Sequence, residues 1–320
     1  MLVMEYRSAG IHGSIKKWNI TDFPEFELAI TIDRPELYYD FLQKDWTRFC
    51  HDYWKNNFLE HHTLSQKRVT RIYIGNQFCH NLFPRKELLF QVLEKALENN
   101  LAVTLAFSYI RNHLLEEIDE LLQELEVWCQ SREKEAGKDQ EEIIVNDWAM
   151  PILLQGKPHL KPVLGVLLNK RRKDVRLPYK HGIGNHVDSL AENNLNCGFY
   201  QDYLKNTFDI QRFEFESCGY KVTIPDGHHS LHLPFFQTNT SQYCTLYAVC
   251  RYGDREKTKS CRKNCPKYCE QKVFLYPKHL KMVGRYNSLF GYDEKILWDE
   301  KQLQDYLEQG IDRIVVNVSL

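Results

Sequence analysis

The sequence predicts an α/β protein built as a (β/α)8 TIM-like barrel, distorted in its C-terminal quarter and carrying a cysteine-rich insertion. Three observations carry that expectation. Eight short apolar runs of strand length alternate with helical patterns along most of the chain. Two of them, EEIIVN (141–146) and PVLGVLLN (162–169), are nearly continuous in apolar residues, as parallel strands covered on both faces are. A right-handed crossover after each parallel strand closes a sheet naturally at eight. The alternative is an open doubly wound sheet, but the chain shows no glycine-rich phosphate fingerprint to support it.

FELAITI (26–32) reads as the first strand and leads into a long aromatic segment, and RIYIG (71–75) is the second. The helix RKELLFQVLEKALENN follows, with Leu88, Leu89, Val92, Leu93, Ala96 and Leu97 making one apolar stripe that a sheet should cover. Next come the strand LAVTLAF (101–107) and an amphipathic helix carrying Leu114, Leu115, Ile118, Leu121, Leu122 and Leu125, which the polar QSREKEAGKDQ (130–140) should end. FEFES (213–217), HSLHLPFF (229–236) and RIVVNVSL (313–320) complete the eight. The stretch 237–312 is too long for one strand-to-helix connection, and VFLYPKHLKMVGRY (273–286) reads as an extra strand pair or subdomain within it.

With 320 residues, 43% of them hydrophobic, the chain can bury a large core, and one barrel-like domain spanning 1–320 is expected. Lysine plus arginine number 42 against 43 acidic residues, so no global field drives the chain onto nucleic acid or an anionic membrane. The first residues, MLVMEYRSAGIHG, lack the basic-then-apolar pattern of a leader, and no stretch has the roughly 20 apolar residues that span a bilayer. The expectation is a cytoplasmic protein, in which thiols stay reduced and a cysteine cluster serves metal or redox chemistry.

Five of the ten cysteines fall within YCTLYAVCRYGDREKTKSCRKNCPKYC: Cys244, Cys250, Cys261, Cys265 and Cys269. The C-x3-C steps can reach one metal from a turn, with a more distant thiol closing the site. Structural zinc favours tighter C-x2-C knuckles in matched pairs, which are absent here. Iron–sulfur clusters accept uneven spacing, because four separated iron corners meet four thiolates. A [4Fe-4S] cluster is therefore the leading reading, zinc the runner-up, and unliganded thiols the third. Cys50, Cys129, Cys197 and Cys218 lie in apolar or helical contexts and read as small core residues.

A barrel collects its chemistry at the C-terminal ends of its strands. The loops there include GNQFC (75–79) and QTNTSQYC (237–244), so Cys79 and Cys244 could converge on one mouth. Asn146 and Asp147 end the fourth strand, where an amide and a carboxylate could fix a polar substrate or move a proton. The plainer role for Asp147 is to cap the turn that follows. NKRRKDVR (169–176) offers five basic residues to an RNA backbone, but without interleaved aromatics it reads first as a solvated loop. His228, His229 and His232 suggest a second metal, yet only His228 and His232 share a strand face. HGIGNH (181–186) lacks a preceding strand and a third glycine.

Taken in order, RIYIGNQFC, IIVNDWAM, LGVLLNKRRKDVR, RFEFES, LHLPFFQTNTSQYC, the C-x3-C steps and GIDRIVV resemble the collagenase-like family of peptidases of unassigned mechanism, in its UbiU/UbiV-like iron–sulfur group. The resemblance runs from about residue 70 to 318. It implies a barrel holding a [4Fe-4S] cluster, with Cys79 and Cys244 matching family cysteines and a C-x3-C pair supplying two more ligands. It favours Cys244, Cys265 and Cys269 with a fourth ligand from Cys250 or Cys79, and leaves Cys261 as an alternative partner of Cys265.

The function it implies is oxygen-independent hydroxylation, or a related modification, of a small molecule or RNA. A carboxylate co-substrate and a partner protein of the same family go with that function. This chain departs from the family at Asn76, Val166 and Gln242, which stand where a carboxylate and two arginines are common. A carboxylate would need other cations, such as Arg111, Arg171 or Arg176. A non-catalytic scaffold or electron-transfer half of a heteromer is the alternative. A peptidase is the lesser one, since the chain has no H-E-x-x-H helix and no G-x-S-x-G elbow.

Overall fold

The computed structural model describes residues 3–4, 23–136, 141–175, 190–242, 244 and 273–318. Eight parallel strands form one nearly closed sheet in the order β6-β5-β4-β3-β2-β13-β8-β7. They are β2 (Glu27–Ile32), β3 (Arg71–Gly75), β4 (Ala102–Ala106), β5 (Glu141–Val145), β6 (Leu160–Leu164), β7 (Glu214–Glu216), β8 (His229–Leu233) and β13 (Ile311–Val316). A single bridge between Leu164 and Phe213 links the two end strands, and the Leu164 N–H donates to the Arg212 carbonyl at 3.0 Å. The architecture is thus an α/β barrel-like sheet, and all eight expected strands are present.

Two of the expected strands end early or turn away. PVLGVLLN is strand only to Leu164, after which the chain turns, the Gly165 carbonyl accepting from the Leu168 N–H at 3.1 Å; Gly165 sits against Asn146, where a Cβ would lie 2.2 Å from the Asn146 Oδ1 and 2.7 Å from the Ile144 Cγ2. Beyond β8 the chain leaves the barrel. Residues Phe235–Thr240 (β9) join Val3–Met4 (β1), Val273–Leu275 (β10), Met282–Arg285 (β11) and Ser288–Tyr292 (β12) in an antiparallel sheet ordered β1-β10-β11-β12-β9. The extra strand pair expected at 273–286 is therefore part of a five-stranded sheet. The side chain of Asn317 ties the two sheets together, accepting from the Phe235 N–H at 3.1 Å and donating to its carbonyl at 2.8 Å.

Helices cover the outer face. Pro35 opens α1 (Pro35–Gln43), and Asp45 caps α2 (Trp46–Asn56) by accepting from the Arg48 N–H at 2.9 Å. The apolar stripe of α3 (Lys86–Glu98) buries Leu89, Val92, Leu93 and Ala96 as expected. In α4 (Leu115–Ala136) the helix runs on through much of the polar stretch expected to end it, since Arg, Glu, Lys and Ala are good helix formers. The shorter α5 (Ala149–Leu153), α6 (Gly198–Phe208) and α7 (Glu300–Glu308) follow β5, precede β7 and precede β13. No helix among the described residues is long and apolar enough to cross a membrane.

The barrel interior is mainly polar, and it is layered. At the base, Arg71 and Arg313 pair with Glu27 and Glu142 at 2.6 to 3.3 Å, and the Thr104 hydroxyl donates to Glu142 at 2.8 Å. Above them Ala29, Tyr73, Ala106, Ile144, Val163 and Val315 make a small apolar layer. The larger core lies outside the sheet, where Leu28, Ile30 and Ile32 of β2 and their counterparts meet the helices. Alternation along ELAITI produces this split: Glu, Ala and Thr face in while Leu, Ile and Ile face out.

Candidate functional site

At the C-terminal ends of the strands a cavity of about 30 Å³ opens, lined by Thr31, Asp33, Asn76, Gln77, Glu216 and His232 among others. The loop after β3 is fixed tightly. Gly75 has φ +107°, and a Cβ on it would come within 2.6 Å of the Ala106 carbonyl oxygen, so only glycine fits. Asn76 then folds the loop on itself, its Oδ1 accepting from the N–H groups of Phe78 and Cys79 at 2.9 Å each and its Nδ2 donating to the Asp33 carbonyl. Asn76 acts here as a turn-forming amide.

Cys79 and Cys244, one after β3 and the other beyond β9, are buried in the same apolar cluster with Phe78, Val166, Val283, Tyr286 and Phe290. The Cys244 thiol donates to the Tyr286 carbonyl at 3.3 Å. Phe78 and Val166 also line the cavity, so the wall that holds the thiols is a wall of the barrel mouth. Cys250, Cys261, Cys265 and Cys269 lie outside the described residues. Among the described residues no group of three or more His, Cys, Asp or Glu side chains is placed to hold a metal.

The thiols read as core residues divide. Cys218 is buried, Cys50 and Cys129 are half-buried, and burial pushes the latter two thiols up to about 12. Cys197 is exposed at the start of α6, which corrects the core reading for that residue.

Asn146 fastens the mouth together. Its Nδ2 donates to the Phe107 carbonyl at 2.8 Å and its Oδ1 accepts from the Leu167 N–H at 3.1 Å, joining the loops after β4, β5 and β6. Asp147 caps the turn leading into α5, accepting from the Ala149 and Met150 N–H groups at 3.0 and 3.1 Å, and its other oxygen accepts from the Ile110 N–H. Neither residue lines the cavity, and the carboxylate is engaged by backbone on both oxygens.

The basic loop 169–176 is less solvated than its composition suggests. Lys170 and Arg172 are exposed, whereas Lys173 turns in to pair with Glu216 and donates to the Gln237 Oε1 at 3.2 Å. Burial pulls the Lys173 ammonium below its ordinary value, against the opposing pull of Glu216. The Arg171 Nη2 donates to the Glu216 carbonyl at 2.9 Å, and its Nε and Nη1 are buried without hydrogen bonds. The Arg111 Nε is likewise buried without one, and Arg176 lies outside the described residues.

The three histidines go to three places. His228 is exposed and bonds Asp312 at 2.9 Å. His229 stacks on Phe213 in the outer core, ring centroids 4.8 Å apart. His232 points into the barrel, its Nε2 at 2.5 Å from the Glu214 Oε2. HGIGNH lies outside the described residues. The pairing of His232 with Glu214 escaped the sequence reading, although the inward register of FEFE and HSLH was its signal.

Comparison with known proteins returns no matching family model, no matching curated protein and no matching solved structure.

Proposed function

We propose that the chain is an iron–sulfur protein whose cluster is held beside the barrel mouth by Cys79, Cys244, Cys265 and Cys269, and that it modifies a small polar molecule in the adjoining cavity. The observation that carries this reading is the burial of Cys79 and Cys244, distant in sequence, in one apolar wall of that cavity. Soft thiolates select iron–sulfur clusters or zinc, and the uneven spacing of the remaining cysteines favours the cluster.

Bound there, a [4Fe-4S] cluster supplies one-electron chemistry. The chain's own residues do the rest. Asn76 sets the backbone that presents Cys79. Phe78, Val166 and Phe290 shield the thiols from water, which keeps a cluster from hydrolysis and tunes its potential. Thr31, Gln77 and His232 give the cavity the polar groups that orient a ligand. A small molecule is preferred over RNA as the substrate, because Lys173 of the basic loop is committed to Glu216 rather than to a surface.

The reading is tested by anaerobic purification with iron and sulfide analysis of the wild type and of Cys79→Ser. Cluster in the wild type and its loss in the variant support it. A wild-type chain holding stoichiometric zinc or no metal removes it.

A further inference from the structure

We propose that His232 is the proton-transfer residue of the barrel-mouth cavity, and that Glu214 is its positioning residue. This goes beyond the cluster reading, because it rests on the strands' own side chains and holds whatever metal the thiols carry. His232 on β8 and Glu214 on β7 stand on neighbouring parallel strands, with Glu214 opposite Ser230 and Glu216 opposite His232. Glu214 therefore sits one inward step lower in the barrel. The imidazole reaches down to it through Nε2, the nitrogen farther from the backbone, at 2.5 Å. Nδ1 stays near the level of the cavity that His232 lines, and nothing among the described residues hydrogen-bonds it.

The surroundings fix the tautomer. Glu214 is fully buried, and the Tyr73 hydroxyl donates to it at 3.1 Å. An Arg313 N–H donates to that hydroxyl oxygen at 3.2 Å, and the Ser230 Oγ lies 3.3 Å from it, so the one proton of Tyr73 goes to the nearer and charged acceptor, the Glu214 carboxylate. The ring of Tyr73 also stands edge-on to the imidazole, centroids 5.5 Å apart at 86°. With Tyr73 donating to it in this way, the carboxylate accepts a hydrogen bond from the Nε2–H of His232, and the lone pair is left on Nδ1. A histidine held like this by a carboxylate is a base with a set direction.

The step is a simple one. A ligand X–H in the cavity gives its proton to Nδ1, and the X–H electron pair stays on X. The Nε2 proton remains on the imidazolium, which Glu214 stabilises without taking it up. Return of the Nδ1 proton to the product restores the neutral ring. The ligand class is a small polar molecule bearing an acidic hydroxyl or activated C–H.

The test uses the whole chain labelled with ¹⁵N-histidine. Long-range ¹H–¹⁵N correlation should show His232, assigned by its loss in His232→Gln, as a single Nε2–H tautomer, and Glu214→Gln should convert it to a mixture. An Nδ1–H tautomer in the wild type, or no change in the Glu214 variant, overturns the proposal. Imidazole C2 hydrogen exchange in the wild type, read by mass spectrometry, needs no variant to fold. His232 should exchange at least about tenfold faster than His229, because only His232 opens on the cavity. Equal rates contradict the proposal. Iron content measured on the same samples should not change in Glu214→Gln, so failure of this proposal and failure of the iron–sulfur reading give different results.

Discussion

Arg313 and Glu142 form a two-bonded ion pair sealed in the base of the barrel, Nη1 to Oε2 at 2.6 Å and Nη2 to Oε1 at 3.0 Å. Burial pushes the Glu142 carboxyl up, but Arg313, Arg71 and Arg212 outweigh it and hold it at about 2. Removing one partner strands a charge: Arg313→Met should destabilise the fold by about 3–5 kcal/mol in urea denaturation. Arg313→Met with Glu142→Leu should recover a large part of that loss. Because the folded-state value is depressed, the pair's stabilisation is complete above the unfolded carboxyl value and is lost as pH falls from there toward 2.

His229 adds a second acid-sensitive element at higher pH. Burial, with a smaller contribution from Arg212, pulls its imidazole down to about 4, so it folds neutral. The unfolded chain takes up a proton near pH 6.5 that the folded chain refuses. Stability is therefore full above about 6.5 and falls as pH drops toward 4, by roughly 3 kcal/mol at the limit. Thermal melts between pH 7 and 4 should show this slope in the wild type. His229→Leu should flatten it, and an unchanged slope would assign the effect to other groups.

Gly165 is a packing constraint with a measurable cost. A methyl there meets the Asn146 Oδ1 and Ile144 Cγ2 inside contact distance, and Asn146 is already fastened to Phe107 and Leu167. Gly165→Ala should cost about 1–3 kcal/mol as overpacking in a rigid site. Combining it with Asn146→Ala should be less than additive, since the two share one contact.

The thiols separate by position. Cys79→Ala and Cys244→Ala should each abolish the visible absorption of a bound cluster, whereas Cys197→Ala, at an exposed site, and Cys129→Ala, half-buried on α4, should retain it. Cys250→Ala should also retain it, because the proposed fourth ligand is Cys79. Loss of absorption in the Cys250 variant with retention in the Cys79 variant would reverse that assignment.

Much of this was legible in the residues. The eight strands follow from apolar runs, and the helix stripe on α3 from its spacing. The end of β6 was not, because Val166, Leu167 and Leu168 continue the apolar run although the backbone turns there, the Gly165 carbonyl accepting from the Leu168 N–H at 3.1 Å. The placement of Lys173 was hidden for a similar reason. Its charge predicts solvent, and Glu216, far along the chain, turns it inward. The placing of Cys79 and Cys244 in one apolar cluster is in line with their positions after strand ends, whereas the pair Glu214 and His232 needed the strand register to be seen.

Iron and acid-labile sulfide measured on the anaerobically purified whole chain test the central claim most directly. A [4Fe-4S] protein should give about four of each per chain, with visible absorption that Cys244→Ser removes. Stoichiometric zinc, or a chain with neither iron nor sulfide after anaerobic reconstitution, would contradict it.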